Sequence, residues 1–204
     1  MLLANAAVSA VLQAIVLGGL PFLGYYLFQK RRHGRTFGEA CRRAGLQAGD
    51  TRYLLYAAGC AALTVLGLLL AISSVDAFTR EGSAQRQFVG LGLGPDAVGL
   101  AFFYGVIQTG FTEELLFRGL IAGSLSRRMP FLRANVAQAL IFLLPHLLIL
   151  FAMPEAWPLL ILVFAGALVM GWIRIRSGSI LGSWLIHASA NVTMGLLVAA
   201  RTVS

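Results

Sequence analysis

Apolar residues fall into six long runs separated by short loops rich in basic residues or in glycine and proline. The runs are Leu2–Phe28, with Pro21 inside it, Tyr53–Ile72, Val98–Leu120, Ala134–Phe151, Trp157–Ile173 and Ile180–Ala200. About 20 apolar residues are needed to carry a helix across about 30 Å of hydrocarbon, and each run is close to that length. The pattern predicts an all-α fold, a polytopic membrane helix bundle of about six transmembrane helices. Residues 1–204 read as one membrane-embedded domain. The first basic residue is Lys30, after the first run, so that run reads as a retained transmembrane helix rather than a cleaved signal peptide. The glycine-rich stretch Gly90–Pro95 lacks the lysine and hydroxyl residue of a phosphate-binding loop and reads as a connector.

Composition agrees with lipid as the solvent. The chain is 58% hydrophobic and 12% charged, against about 25% charged in soluble domains. The net charge of +8 could suggest nucleic acid, but the positive residues sit in short loops between apolar runs, so no nucleic-acid partner is expected. Loop 29–52 carries Lys30, Arg31, Arg32, Arg35, Arg42, Arg43 and Arg52. Two further loops on the same side carry Arg127, Arg128 and Arg133, and Arg174 and Arg176. The other side holds Arg80, Arg86 and Arg201, a split of twelve against three. The positive-inside rule then places the rich loops in the cytoplasm and both termini outside. The Arg-, Ala- and Leu-rich usage points to a prokaryotic plasma membrane. Cys41 and Cys60 suggest neither a disulfide framework nor a cysteine zinc site.

Ionisable residues inside a bilayer cost at least about 2.5–3.5 kcal/mol each on insertion scales and mark function. The third run holds Glu113, Glu114 and Arg118, the fourth His146, and the sixth His187 and Asn191. Glu114 and Arg118 are four apart and predict an ion pair on one helix face. Glu113 points about 100° away from Glu114. His187 and Asn191 share a face, as do Phe142 and His146. Glu113 lies 14 residues before Arg127, His146 lies 13 after Arg133, and His187 lies 11 after Arg176. At about 1.5 Å per residue the three stand at one depth in the membrane. Singly, a histidine or an asparagine here reads as interhelical glue. Together they read as a site.

The run Glu113-Glu114-Leu115-Leu116-Phe117-Arg118 resembles the E-E-x-x-x-R motif of the CPBP family, the CAAX proteases and bacteriocin-processing proteins also called Abi. Phe142 to His146 resembles its F-x-x-x-H motif, and His187 to Asn191 its H-x-x-x-N motif. The three occur in the family's order, on separate predicted helices, with a family-like core over about 98–200. The resemblance implies an intramembrane endopeptidase acting on membrane-associated peptides or proteins, with membrane lipid as its surroundings. Pro145, directly before His146, departs from the commonest pattern and predicts a bend in that helix.

Amide hydrolysis needs an activated water, a stabilised oxyanion and a proton for the leaving amine. Glu113 is the candidate general base. His146 would orient the water, His187 and Asn191 would donate to the oxyanion, and Arg118 would fix Glu114. A second version stays open: Glu113, His146 and His187 form a His₂Glu set that could hold one divalent metal such as zinc, with Glu114 as the base. A cavity must admit water to the site, with its mouth expected on the cytoplasmic side. Two rival classes remain, a proton-coupled transporter and a non-catalytic membrane scaffold or immunity protein.

Overall fold

The computed structural model describes residues 1–203; residue 204, the last of the expected domain, lies outside them. Six long helices are present. Helix α1 spans Leu2–His33, α3 Thr51–Ala71, α4 residues 95–125, α5 Phe131–Phe151, α6 Trp157–Ser177 and α7 Leu181–Arg201. A short helix, α2, covers Phe37–Arg43 in the basic loop. Five of the long helices are apolar and long enough to cross a membrane. The sixth is α4, whose Glu113, Glu114 and Arg118 lower its apolar character because it carries the polar centre.

Local signals set the helix ends. Gly34 (φ 64°) ends α1, its N–H bonding back to Gln29 and Lys30, and Gly178 (φ 75°) ends α6 in the same left-handed conformation. Thr36 and Glu39 form a reciprocal capping box at the start of α2. The Thr36 backbone N–H and hydroxyl beside Glu39 hold its carboxyl below the usual range. Asp50 caps α3.

Helix α7 is the central element and packs on α3, α4 and α6. Of its apolar window 44% is buried, against 11% for α3, so α3 presents leucines such as Leu55, Leu63 and Leu70 outward, to lipid. Close approach of α4 to α7 depends on glycine. A Cβ on Gly105 would stand 2.9 Å from Val192, and one on Gly110 3.3 Å from the Trp184 ring. Trp184 Nε1 then donates to the Val106 carbonyl at 2.8 Å. On the other flank, buried Asn135 and Gln138 of α5 donate to the Leu168 and Ala167 carbonyls of α6 at 3.0 and 2.8 Å. Gly171 leaves room for both amides. These bonds fix α5, and with it His146, against α6.

Two stretches of α4, Phe102–Phe111 and Glu114–Ala122, are wound as π-helix. The hydroxyls of Thr109 and Thr112 donate to carbonyls five residues back, Tyr104 at 2.9 Å and Ile107 at 3.1 Å. Such widened turns are rare and concentrate at functional sites. Between the two stretches stands Glu113.

The ends of the bundle are segregated by charge. Arg43, Arg127 and Arg174, from the three basic loops, meet at one end. At the other end Arg201 bonds the Ile72 carbonyl, and Arg80 pairs with Glu155. Gly90–Pro95 is a connector, bent at Gly90 and Gly92, where φ is positive.

Candidate active site

Glu114 is the fixed point of the polar centre. Its side chain is 0% exposed, and Oε1 meets two partners, an ion pair with Arg118 and a hydrogen bond from His187. Arg118 Nη1 lies 3.0 Å away on the next turn of α4. His187 Nδ1 lies 2.9 Å away on α7. The expected Glu114–Arg118 pair is therefore present, and the carboxylate has a second task that spacing along one helix could not show. Beside a buried guanidinium Glu114 is a carboxylate and accepts only, so His187 carries its proton on Nδ1. In this tautomer the imidazole presents Nε2 to the second carboxylate, 3.9 Å from Glu113 Oε2. That separation is too long for a direct hydrogen bond and short enough for one water to reach both groups. Glu113 is partly exposed, with a side-chain accessibility of 23%.

Arg118 is completely buried, yet its three guanidinium nitrogens have no well-aligned hydrogen bond among the described residues. The ion pair and the face of Phe142, 3.9 Å from its Cζ, hold it. The same phenyl ring packs against both imidazoles, at centroid distances of 4.5 Å from His146 and 5.9 Å from His187. Phe142 is thus a wall shared by Arg118, His146 and His187.

His146 donates from Nδ1 to the Phe142 carbonyl at 2.8 Å, leaving Nε2 as its free lone pair. Pro145 does not end the helix ahead of it. Regular winding runs through His146, and Leu148 then bonds Pro145 with three-residue spacing. The irregularity falls just after the histidine, although the carbonyl left without a donor by Pro145 is that of Ile141, one turn before it.

Asn191 donates from Nδ2 to Thr109 Oγ1 at 2.7 Å. Thr109 stands one turn before Glu113 on α4, so its hydroxyl aims the amide along the helix that carries the carboxylates. Thr109 was not among the expected site residues, nor was Ser183, which is fully buried one turn before His187. Ser183, His187 and Asn191 form a polar stripe at four-residue spacing on an apolar helix, a signal readable in the sequence.

The two imidazoles have the outer bond typical of metal ligands, Nδ1–H to an oxygen with Nε2 free. The remaining requirement is proximity. Among the described residues no group of three His, Cys, Asp or Glu side chains is placed to hold a metal ion.

An apolar groove of about 510 Å³ runs between α3, α4 and α7, lined by Leu54, Val106, Leu185 and Val192 among others. Trp184 and Ala188, which flank His187 along α7, also line it; none of the six candidate residues does.

The polar centre of this helical bundle is thus a buried Glu–Arg–His network beside a second, partly exposed glutamate. The family described as Type II CAAX prenyl endopeptidase Rce1-like matches residues 95–193, just under half of the chain, from the start of α4 into α7. This segment, which carries all three motifs, is thus similar to the CPBP family of membrane CAAX-type endopeptidases. No curated protein and no solved structure matches it.

Proposed function

We propose that the chain is an intramembrane endopeptidase that hydrolyses peptide bonds of membrane-associated substrates by a metal-free, glutamate-based mechanism. The observation that carries this reading is the 3.9 Å space between Glu113 Oε2 and His187 Nε2, with Nδ1 of the same imidazole bound to buried Glu114. A water beside that gap, about 2.8 Å from each atom, meets two proton acceptors at once. Glu113 takes its proton as the oxygen attacks the scissile carbonyl carbon. The carbonyl oxygen gains the charge, and the second N–H of Asn191, not used by Thr109, donates to it. The proton reaches the leaving amine through Glu113 or through His187, whose imidazolium the Glu114 carboxylate stabilises. The C–N bond then breaks to a carboxylic acid and an amine. His187 accordingly donates to an oxyanion only as the imidazolium, which narrows the role expected from sequence. His146 orients the water or the substrate through its free Nε2.

The substrates are of CAAX type or bacteriocin type, carried to the site by an apolar anchor. The groove beside Trp184 and Ala188 receives that anchor from the lipid. The basic end of the bundle is cytoplasmic, the termini lie outside, and water reaches Glu113 from the cytoplasmic side. Neither of the rival readings, transporter or idle scaffold, requires an imidazole poised over a second carboxylate. Purified chain in liposomes, given a fluorogenic peptide with a C-terminal apolar anchor, tests the proposal. Cleavage of the anchored peptide, with slower cleavage of the same peptide lacking its anchor, is the expected result. Absence of cleavage of any membrane-anchored peptide by folded protein refutes it.

A further inference from the structure

Three guanidinium groups converge at the basic end of the bundle, away from the polar centre. Arg43 closes α2, Arg127 follows α4, and Arg174 lies in the last turn of α6. Arg127 Nη1 and Arg174 Nη2 both donate to the Arg43 carbonyl oxygen, at 3.2 and 3.0 Å. Arg43 Nε and Arg127 Nη2 both donate to the hydroxyl of Tyr25 on α1, at 3.3 and 3.2 Å. Arg127 Nη2 also reaches Ser124 Oγ at 3.3 Å.

Three cations thus share neutral oxygens. Among the described residues no carboxylate pairs with any of them. Arg174 is 5% exposed, and its Nε is buried with no hydrogen-bond partner. Buried charges are ordinarily paired, and like charges this close repel. The backbone nonetheless makes room for the cluster. Gly45, at φ 79°, leaves room for the Arg174 guanidinium packed against it, since a Cβ there would lie 2.7 Å from Nε. A Cβ on Gly123 would lie 3.0 Å from Arg174 Nη2 and 3.3 Å from Arg127 Nη1.

The missing partner is an anion with several acceptor oxygens. Guanidinium forks match phosphate, which can accept from two arginines at once. The position is apt as well. Gly123 lies about 10–13 Å along α4 from Glu114 at helical rise, close to the distance from the middle of a bilayer to the edge of its hydrocarbon. Tyr25 is an aromatic of the kind found at that interface. We propose that Arg43, Arg127 and Arg174 form a phosphate-binding site, occupied by the headgroup of an anionic phospholipid.

Thermal unfolding of the purified chain, stripped of lipid in detergent, tests this. Phosphatidylglycerol, phosphatidylcholine and inorganic phosphate are added in turn at constant ionic strength. Phosphatidylglycerol a hundredfold above its Kd raises Tm by about 5–10 °C by mass action, and the other two do not. Arg127→Gln, at an exposed position, weakens the phosphatidylglycerol response about tenfold or more in concentration relative to the same variant's lipid-free Tm. Arg127→Lys keeps the charge, loses the fork, and is weakened less. Arg133→Gln, outside the cluster, behaves as wild type and controls for general surface charge. A shift by inorganic phosphate alone, lost in Arg127→Gln, overturns the lipid assignment and gives the site to a soluble phosphate. Equal phosphatidylglycerol responses in Arg127→Gln and wild type, or no response to any probe, overturn the site itself.

Discussion

Replacing Arg118 by alanine leaves the Glu114 carboxylate inside the bundle with a single partner, His187. In the native chain Glu114 Oε1 receives Arg118 Nη1 at 3.0 Å and His187 Nδ1 at 2.9 Å, while Oε2 is buried with no hydrogen bond among the described residues. Neither member of the Glu–Arg pair has any exposed side-chain surface. Removing one partner of such a pair costs about 3–5 kcal/mol, because the other charge stays behind without compensation. Loss of the guanidinium from the Phe142 face adds about 1–2 kcal/mol. At about 2–4 °C per kcal/mol, the ion-pair loss alone lowers Tm by about 6–20 °C. Thermal unfolding in detergent, followed by tryptophan fluorescence or circular dichroism, measures this. The double variant Glu114→Gln/Arg118→Met isolates the cause. With the charge gone from both sides, most of the loss returns, since a buried pair replaced by neutral groups is often close to neutral in stability. An Arg118→Ala protein whose Tm lies within 2 °C of wild type would refute the reasoning and place the pair in contact with water.

Cysteines introduced at Arg35 and at Val203, after removal of Cys41 and Cys60, should react with an impermeant thiol reagent from opposite sides, Arg35→Cys from the cytoplasm; labelling of both from one side would reject six crossings. Gly171→Ala drives a Cβ into the Asn135 and Gln138 amides and should lower stability by about 1–3 kcal/mol, whereas an unchanged Tm would mean that the α5–α6 contact is loose. Treatment with a strong chelator, followed by its removal, should leave peptidase activity within twofold of untreated enzyme, and loss of activity restored by zinc would replace the metal-free mechanism with a metal-dependent one.

The helices were legible because lipid imposes a simple rule, about 20 apolar residues for each crossing. The rule found all six long helices, including α4, whose charges interrupt an otherwise apolar run. It misplaced ends, as at α1, which continues through the basic residues to His33, because polar residues extend a helix into the interface without changing its hydropathy signal. Four-residue spacing made the Glu114–Arg118 pair legible, since both partners lie on one helix. The Glu114–His187 bond joins residues 73 apart in sequence, and no local periodicity encodes it. The π-winding around Glu113 is hidden for another reason. It is a choice of hydrogen-bond register, made where α4 packs on α7, and the residues in it suit an α-helix equally well. The bonding of His187 Nδ1, which decides whether Nε2 gives or takes a proton, followed only from knowing what faces it.

The central claim is that Glu113 activates water, and the rate of hydrolysis by Glu113→Gln tests it most directly. Glutamine keeps the size and the hydrogen-bonding reach of Glu113 and removes its ability to take a proton. Glu113 lies outside the buried ion pair and is partly exposed, so the variant should unfold at the wild-type temperature. Single-turnover cleavage of an anchored fluorogenic peptide should fall by about 10²–10⁴-fold, the contribution of a positioned general base. A folded Glu113→Gln protein that cleaves the peptide within tenfold of the wild-type rate would contradict the account.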